Sequence, residues 1–220
     1  CLSVNIDEGV WNCHNCGWTG GLKKQNNFMQ EKNYILPVEK TADTIYSENM
    51  IRWFLKRGIS TETMMKNRIG EGKEYMPQIG REATTIQFNY YKDSRLINVK
   101  YRDGAKNFKL VKDAERIMYG LDDLIGKKSV IIVEGEMDKL SFYEAGFKNC
   151  VSVPNGASNL KMEYLKDFPE DLEKVYIAVD NDEPGKKLEN ELSRRIGRDI
   201  CYRVTYPDGC KDINDVLIKH

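Results

Sequence analysis

Three groups of acids stand out by what precedes them. Glu134-Gly135-Glu136-Met137-Asp138 follows directly on the apolar run Val130-Ile131-Ile132-Val133. Asp180-Asn181-Asp182 follows directly on Val175 to Val179, and Lys211-Asp212-Ile213-Asn214-Asp215 lies beyond Cys201 to Val204. Carboxylates gathered at one point repel each other unless a cation neutralises them. Hard divalent cations take oxygen ligands, and Mg²⁺ is held by a few carboxylates together with substrate phosphates. Two such ions can stabilise the attacking and the leaving oxygens of a phosphoryl transfer. One acidic group after a strand is more often a helix cap than a catalyst. Three of them, each after its own apolar run, point to phosphoryl chemistry at a shared site. Gly135 and Gly185 would let the backbone pass close to the ions.

A second set is basic. Between Lys92 and Lys112 there are seven basic residues, Lys92, Arg95, Lys100, Arg102, Lys106, Lys109 and Lys112, against the two acids Asp93 and Asp103. On a strand, Lys100 and Arg102 flank Tyr101 and point to one face. That face could grip a triphosphate or a nucleic-acid backbone. A solvated hairpin is the plainer alternative. Tyr90, Tyr91 and Tyr101, read as exposed, could stack on bases, although strand tyrosines more often pack. Near the start, Cys13-His14-Asn15-Cys16 has the spacing of a zinc knuckle, with Gly17 permitting the tight turn. Structural zinc takes four ligands. Cys1 is the only cysteine upstream, and His14 lies between the pair, so the first ligand pair is expected before Cys1. Trp11 and Trp18 either stack on nucleic-acid bases or close the ribbon's small core. Cys150 and Cys201 read as small buried apolar residues.

The elements that must position these groups can be read from periodicity. Leu2, Val4 and Ile6 alternate with polar residues, Asp7-Glu8-Gly9 turns, and Val10-Trp11-Asn12 leads back into the cysteine pair. Residues 21–43 are polar and rich in Asn and Lys, and read as a linker. Met50, Trp53 and Phe54 share a helical face between Ser47 as N-cap and Gly58 as stop. Ser60 and Thr61 start a second short helix that ends near Gly70. Thr84–Tyr91 and Leu96–Tyr101 form a hairpin about Lys92-Asp93-Ser94. From Ser129 onwards strand and helix alternate. Val130–Val133, Val151–Val153, Val175–Val179 and Cys201–Val204 read as strands, with helices over 137–145, 185–196 and 213–218. Continuous apolar runs suit strands buried on both faces, and the alternation predicts a parallel sheet flanked by helices. Ligands of such sheets bind beyond the carboxyl ends of the strands, where all three acidic groups fall.

Composition sets the outer bounds. The chain has 220 residues, 40% hydrophobic and 31% charged, which is a globular composition. Its 34 basic and 34 acidic residues balance to zero, so it is not a uniformly basic nucleic-acid glove, while a local basic patch remains open. Apolar runs stop far short of the roughly 20 residues a membrane span needs, and no signal peptide is visible. Six scattered cysteines suit a reducing compartment rather than a disulfide scaffold. A cytoplasmic location is expected, with no membrane partner. Beginning at Cys1, the chain is read as a fragment of something longer. It has no internal repeat and no Gly-x-x-x-x-Gly-Lys-Ser/Thr phosphate loop, so no helicase motor lies within it.

A buried strand ending in Glu-Gly-x-x-Asp, a later strand ending in Asp-x-Asp and a third acidic motif together resemble the toprim domain over residues 120–220. The segment from Val99-Lys100-Tyr101-Arg102 to Lys106-Asn107-Phe108 resembles that of the phage primase–helicases and Twinkle-like proteins. So do Tyr119-Gly120-Leu121, Val153-Pro154-Asn155-Gly156-Ala157, and Arg57-Gly58-Ile59-Ser60 with Ile69-Gly70. The resemblance implies an α/β toprim fold, a Rossmann-like parallel sheet with flanking helices. A small α+β subdomain over 44–125 and a partial zinc ribbon over 1–20 would precede a toprim domain over 126–220.

The resemblance also implies roles. Glu134, Asp180 and Asp182 would be catalytic. Glu134, Asp138, Asp180, Asp182 and Asp212 would hold Mg²⁺ or Mn²⁺, with Asp215 a further candidate. Cys13 and Cys16 would hold Zn²⁺ once upstream ligands are supplied. Lys100, Arg102, Lys106 and Lys211 would bind nucleotide or DNA. The expected activity is that of a DNA primase, joining ribonucleoside triphosphates into short RNA primers on single-stranded DNA, with a ring helicase as partner, fused or in trans. Two alternatives share the motifs: a toprim nuclease using water as nucleophile, and a non-priming DNA-binding or assembly module of a replicative helicase. A topoisomerase would need a tyrosine nucleophile in a further domain, for which the chain has little room.

Overall fold

The apolar runs beyond residue 128 become the centre of the molecule. The structure, a computed structural model, describes residues 2–21, 33–38, 46–156 and 160–220. Most of the expected linker, together with Cys1 and Ala157, lies outside these residues. Three sheets are present among them. The first is an antiparallel ribbon of β1 (Leu2–Asn5), β2 (Val10–Cys13) and β3 (Thr19–Gly21), with Leu2 opposite Cys13. Gly17 turns the chain between β2 and β3 at φ +72°, a conformation that suits glycine.

Next come two short helices, α1 (Glu48–Leu55) and α2 (Thr61–Lys66). Each starts at the serine expected to cap it. Ser47 accepts from the Met50 N–H and Ser60 from the Thr63 N–H, both at 3.2 Å. The second sheet is antiparallel in the order β4–β5–β6–β7: β4 (Gly70–Met76), β5 (Arg81–Lys92), β6 (Arg95–Asp103) and β7 (Phe108–Leu110). The hairpin between β5 and β6 matches the sequence reading, with a register shift at Tyr90/Tyr91. β4 was not anticipated, because Gly70-Glu71-Gly72-Lys73-Glu74 has no apolar alternation.

The third sheet is wholly parallel. It comprises β8 (Ser129–Val133), β9 (Cys150–Ser152), β10 (Lys174–Ile177) and β11 (Cys201–Arg203), in the order β11–β10–β8–β9. Between these strands run α3 (Glu136–Glu144) and α4 (Glu183–Ile196), and α5 (Ile213–Lys219) closes the chain. Val130, Ile132, Val175 and Ile177 are at most 1% exposed. Burying each contributes about 1.5–3 kcal/mol. They share one core with Phe54, Ile59 and Met64 of the helical segment and with Phe88 and Tyr90 of β5. The antiparallel and parallel sheets are therefore built around common apolar residues. Tyr90 departs from the sequence reading here. It is 1% exposed, on the inward face of β5 with Phe88, and cannot offer a stacking surface.

Candidate active site

β8 and β10 are hydrogen-bonded neighbours in the same direction, so the segments that follow them emerge side by side. This is why Glu134 and Asp180 meet although 46 residues separate them. The Asp180 N–H donates to Glu134 Oε1 at 3.2 Å. The third acidic segment is fastened alongside when the Asn181 N–H donates to the Lys211 carbonyl at 3.0 Å. Asp138 reaches the same point from the first turn of α3, where its carboxylate accepts from the Gly135 N–H at 3.1 Å. One carboxylate oxygen from each of Asp138, Asp180 and Asp212 lies within 4.8 Å of the other two. Among the described residues this is the one such group of acids, histidines or cysteines.

Close approach requires Gly185. It sits in the first turn of α4, and a Cβ there would overlap the Asp180 carbonyl oxygen and stand 2.8 Å from Glu134 Oε1. Asp182 caps α4 by accepting from the Gly185 N–H at 3.0 Å, and Asp212 caps α5 by accepting from the Asp215 N–H at 2.8 Å. Asp182 thus lies beside the three-acid cluster rather than in it. Asp215 is engaged elsewhere, accepting the Lys211 N–H at 3.0 Å and lying 3.6 Å from the Lys219 ammonium.

Crowding shows in the acidities. Burial, then the Asp180 charge, pushes the Glu134 carboxyl up to about 7. Burial, then the charges of Asp180 and Asp212, raises Asp138 well above the ordinary aspartate range. Asp180 is raised by burial while its bond to Lys211 pulls the other way. Glu134, Asp138 and Asp180 thus resist ionisation, and crowded carboxylates of this kind are the donor set a hard divalent cation would relieve.

The basic residues share with this cluster a cavity of about 820 Å³. Glu134, Asp138 and Asp180 line it together with Lys211, which is paired to Asp180, and Lys100, Arg102 and Lys106 line it from β6 and the turn after it. Lys100 and Arg102 share a face of β6, as their spacing implies, but neither projects freely. The Lys100 ammonium lies 2.8 Å from Glu136 Oε1 and 3.1 Å from the Pro154 carbonyl. Glu136 is 4% exposed and also accepts from the Tyr90 hydroxyl at 2.5 Å. Arg102 is 8% exposed, with its guanidinium 4.6 Å from the Trp53 ring centre. Arg57 stacks on the same indole at 3.5 Å. Burial lowers the pKa of both arginines, and the Arg57 charge lowers that of Arg102 further. Lys106 occupies the turn after β6 at φ +63°. Sequence reasoning assigned no role at this site to Glu136, Trp53 or Arg57, and it marked Tyr90 for base stacking rather than for holding Glu136. Glu136 could have been singled out by its place inside the first acidic motif. The others carry no local signal.

On the ribbon, N–H groups of Cys16 and Asn15 point at the Cys13 thiol and lower its pKa, which suits a metal-binding thiolate. Cys13 and Cys16 are two thiols, half the number of ligands a structural zinc takes. Trp11 and Trp18 pack against each other with ring centres 5.4 Å apart.

Comparison with known proteins follows the same lines. Residues 131–217 match the Toprim-like family. A primase homolog protein of Arabidopsis thaliana is 34% identical, over 94% of this chain and 68% of that protein. The chain belongs to the toprim primase family. A chloroplastic/mitochondrial Twinkle homolog of the same plant is also 34% identical, over 99% of this chain. The chain spans about a third of that relative's length. The primase fragment of the bacteriophage T7 primase–helicase has the same fold, with a TM-score of 0.57 over 94% of this chain and 85% of that one, at 23% identity.

Proposed function

We propose that this chain is the catalytic part of a DNA primase, making short RNA primers on single-stranded DNA by divalent-metal-dependent nucleotidyl transfer. The observation that carries the reading is one cavity lined by carboxylates and cations together, at the carboxyl ends of parallel strands. Family membership supports it. Asp138, Asp180 and Asp212 would hold Mg²⁺ or Mn²⁺, with Glu134 and Asp182 beside them. Such an ion supplies charge neutralisation on the phosphate being transferred.

The chain's own residues do the rest. Lys100, Arg102, Lys106 and Lys211 bind the triphosphate and the template backbone and offset their charge. Glu134, held near neutrality, can accept the proton of the attacking 3′-hydroxyl, which displaces pyrophosphate from the α-phosphate. Glu136 fixes Lys100 from behind, and Trp53 fixes Arg102. Cys13 and Cys16 would complete a zinc site with a ligand pair from outside the described residues. Ribonucleoside triphosphates and single-stranded DNA are the proposed partners, with a ring helicase fused or in trans. A cytoplasmic setting is proposed with them. Among the described residues no helix is long and apolar enough to cross a membrane.

The test is incubation with mixed-sequence single-stranded DNA, labelled ribonucleotides and Mg²⁺ or Mn²⁺. The reading expects a ladder of short oligoribonucleotides that vanishes in an Asp180→Ala, Asp182→Ala double variant. Intact DNA without a ladder would favour the assembly role, and shortened DNA the nuclease.

A further inference from the structure

Among the described residues, Lys211 is the one base within ion-pair distance of the five acids at the site. Its ammonium lies 2.9 Å from Asp180 Oδ2 and 3.6 Å from Asp182 Oδ2. Asp180 also belongs to the three-acid cluster. A lysine and a divalent cation therefore converge on one carboxylate, where their like charges oppose each other.

The two ends of Lys211 are held very differently. Its backbone is pinned on both sides, the carbonyl by the Asn181 N–H and the N–H by Asp215, each at 3.0 Å. Its side chain is 56% exposed and carries its charge on a flexible four-carbon stem. Lys100 and Arg102 on the opposite side are fixed by Glu136 and by Trp53. Lys211 is thus a cation of this cavity that already has an acidic partner and whose charged end can change partners at little cost. It lines the same cavity as the fixed cations, within reach of an anion seated there.

We propose that Lys211 is an exchangeable counter-ion: it occupies Asp180 while the acids hold no metal, and it passes to a nucleotide phosphate once a divalent cation takes the cluster. The second half rests on the reading of the cavity as a nucleotide site, while the first half does not. The exchange makes metal and nucleotide binding mutually supportive, since each removes what the other must displace, and such coupling is reciprocal. It also restrains the acids from binding metal in the absence of nucleotide.

Two measurements on the whole chain test this, both at pH 8 and neither reading catalysis. In the first, Mn²⁺ alone is titrated into the wild type and Lys211→Met. The variant is expected to bind about tenfold more tightly, and Asp212→Asn much more weakly than either. Equal or weaker binding by Lys211→Met, with thermal unfolding showing an intact fold, would overturn the counter-ion. In the second, acylation of individual lysines by an amine-specific reagent is followed by peptide mass spectrometry. Mn²⁺ should speed labelling of Lys211 severalfold while leaving Lys100 unchanged. Adding a ribonucleoside triphosphate with a non-cleavable α,β-bridge should then protect Lys211. Labelling indifferent to Mn²⁺ would refute the release, and release without later protection would refute the hand-over to phosphate. A chain that makes no primers yet shows the Mn²⁺ effects would sink the primase reading and leave the counter-ion standing.

Discussion

Removing the charge of Glu136 should cost stability and primer synthesis together, by an amount its surroundings set. Glu136 Oε1 receives the Tyr90 hydroxyl at 2.5 Å and the Lys100 ammonium at 2.8 Å, and the Lys100 and Glu136 side chains are only 12% and 5% exposed. Glutamine at this position keeps the shape and can still accept both bonds, but both become neutral-acceptor bonds. Bonds to a charged group contribute about 1.5–3 kcal/mol against about 0.5–1.5 for neutral pairs, so Glu136→Gln should lose roughly 2–3 kcal/mol. For a chain of this size that corresponds to about 5–10 °C in thermal midpoint. Glu136→Ala should lose about 3–5 kcal/mol, because it strands a mostly buried ammonium. Lys100→Met in that background should recover part of the loss, giving a coupling energy of at least about 1.5 kcal/mol in a double-mutant cycle. Urea unfolding measures these differences, and labelled primer yield measures the accompanying loss of Lys100 placement. A Glu136→Gln protein within about 0.5 kcal/mol of wild type, the ordinary range for a surface change, would refute the clamp.

Other perturbations probe other parts of the site. Gly185→Ala drives a methyl into the Asp180 carbonyl and toward Glu134, so it should lower primer synthesis by about 100-fold and cost roughly 1–3 kcal/mol of stability. Near-normal synthesis would show that the two acids need not approach so closely. The folded protein holds the Glu134 carboxyl near 7, above its unfolded value, so this group stabilises the fold below about pH 4.5 and that stability is lost as pH rises to about 7. Asp138 and Asp180 are shifted in the same sense. After discounting for solvent screening at this partly open site, the Glu134 loss is about 1–2 kcal/mol. Urea midpoints taken with a chelator should fall across that window, and Mg²⁺ should shrink the fall; a rise would contradict the crowding. Lys106 holds a positive φ in a turn. Lys106→Gly should therefore keep or raise the thermal midpoint, by about 0.5–1 kcal/mol of stability, while raising the apparent KM for ribonucleotides severalfold. An unchanged KM would remove Lys106 from the binding side of the cavity.

Much of this arrangement is written locally in the sequence. Val130–Val133 is an unbroken apolar run because β8 is covered on both faces, and Ser47 and Ser60 cap the helices their positions promised. The strand ends place the acids. β10 stops at Ile177, two residues sooner than its apolar run, because Ala178 and Val179 already lead into the Asp180 loop. What sequence could not supply is set by tertiary pairing. β4 has two glycines and three charged residues in seven and is held by its register against β5, from Gly70 opposite Gln87 to Met76 opposite Arg81. Tyr90 carries no mark that separates it from Tyr91, yet one is buried against Glu136 and the other faces the Arg68 guanidinium at 4.2 Å. At the site, the acids were legible as a group. Their division into a close triad, a neighbouring acid near neutrality and a helix cap depends on which oxygens the packed loops bring together.

If the three clustered acids form the metal-dependent centre, loss of any one of them must abolish metal binding and priming together. Asp138→Asn, Asp180→Asn and Asp212→Asn can be compared with wild type for Mn²⁺ binding and for primer yield on single-stranded DNA. Each should lose both, with synthesis down by at least about 1,000-fold, at thermal midpoints no more than a few degrees below wild type, since each change also removes like-charge repulsion. A variant of any of the three that folds, fails to bind Mn²⁺ and still makes primers at near wild-type yield would contradict the central claim.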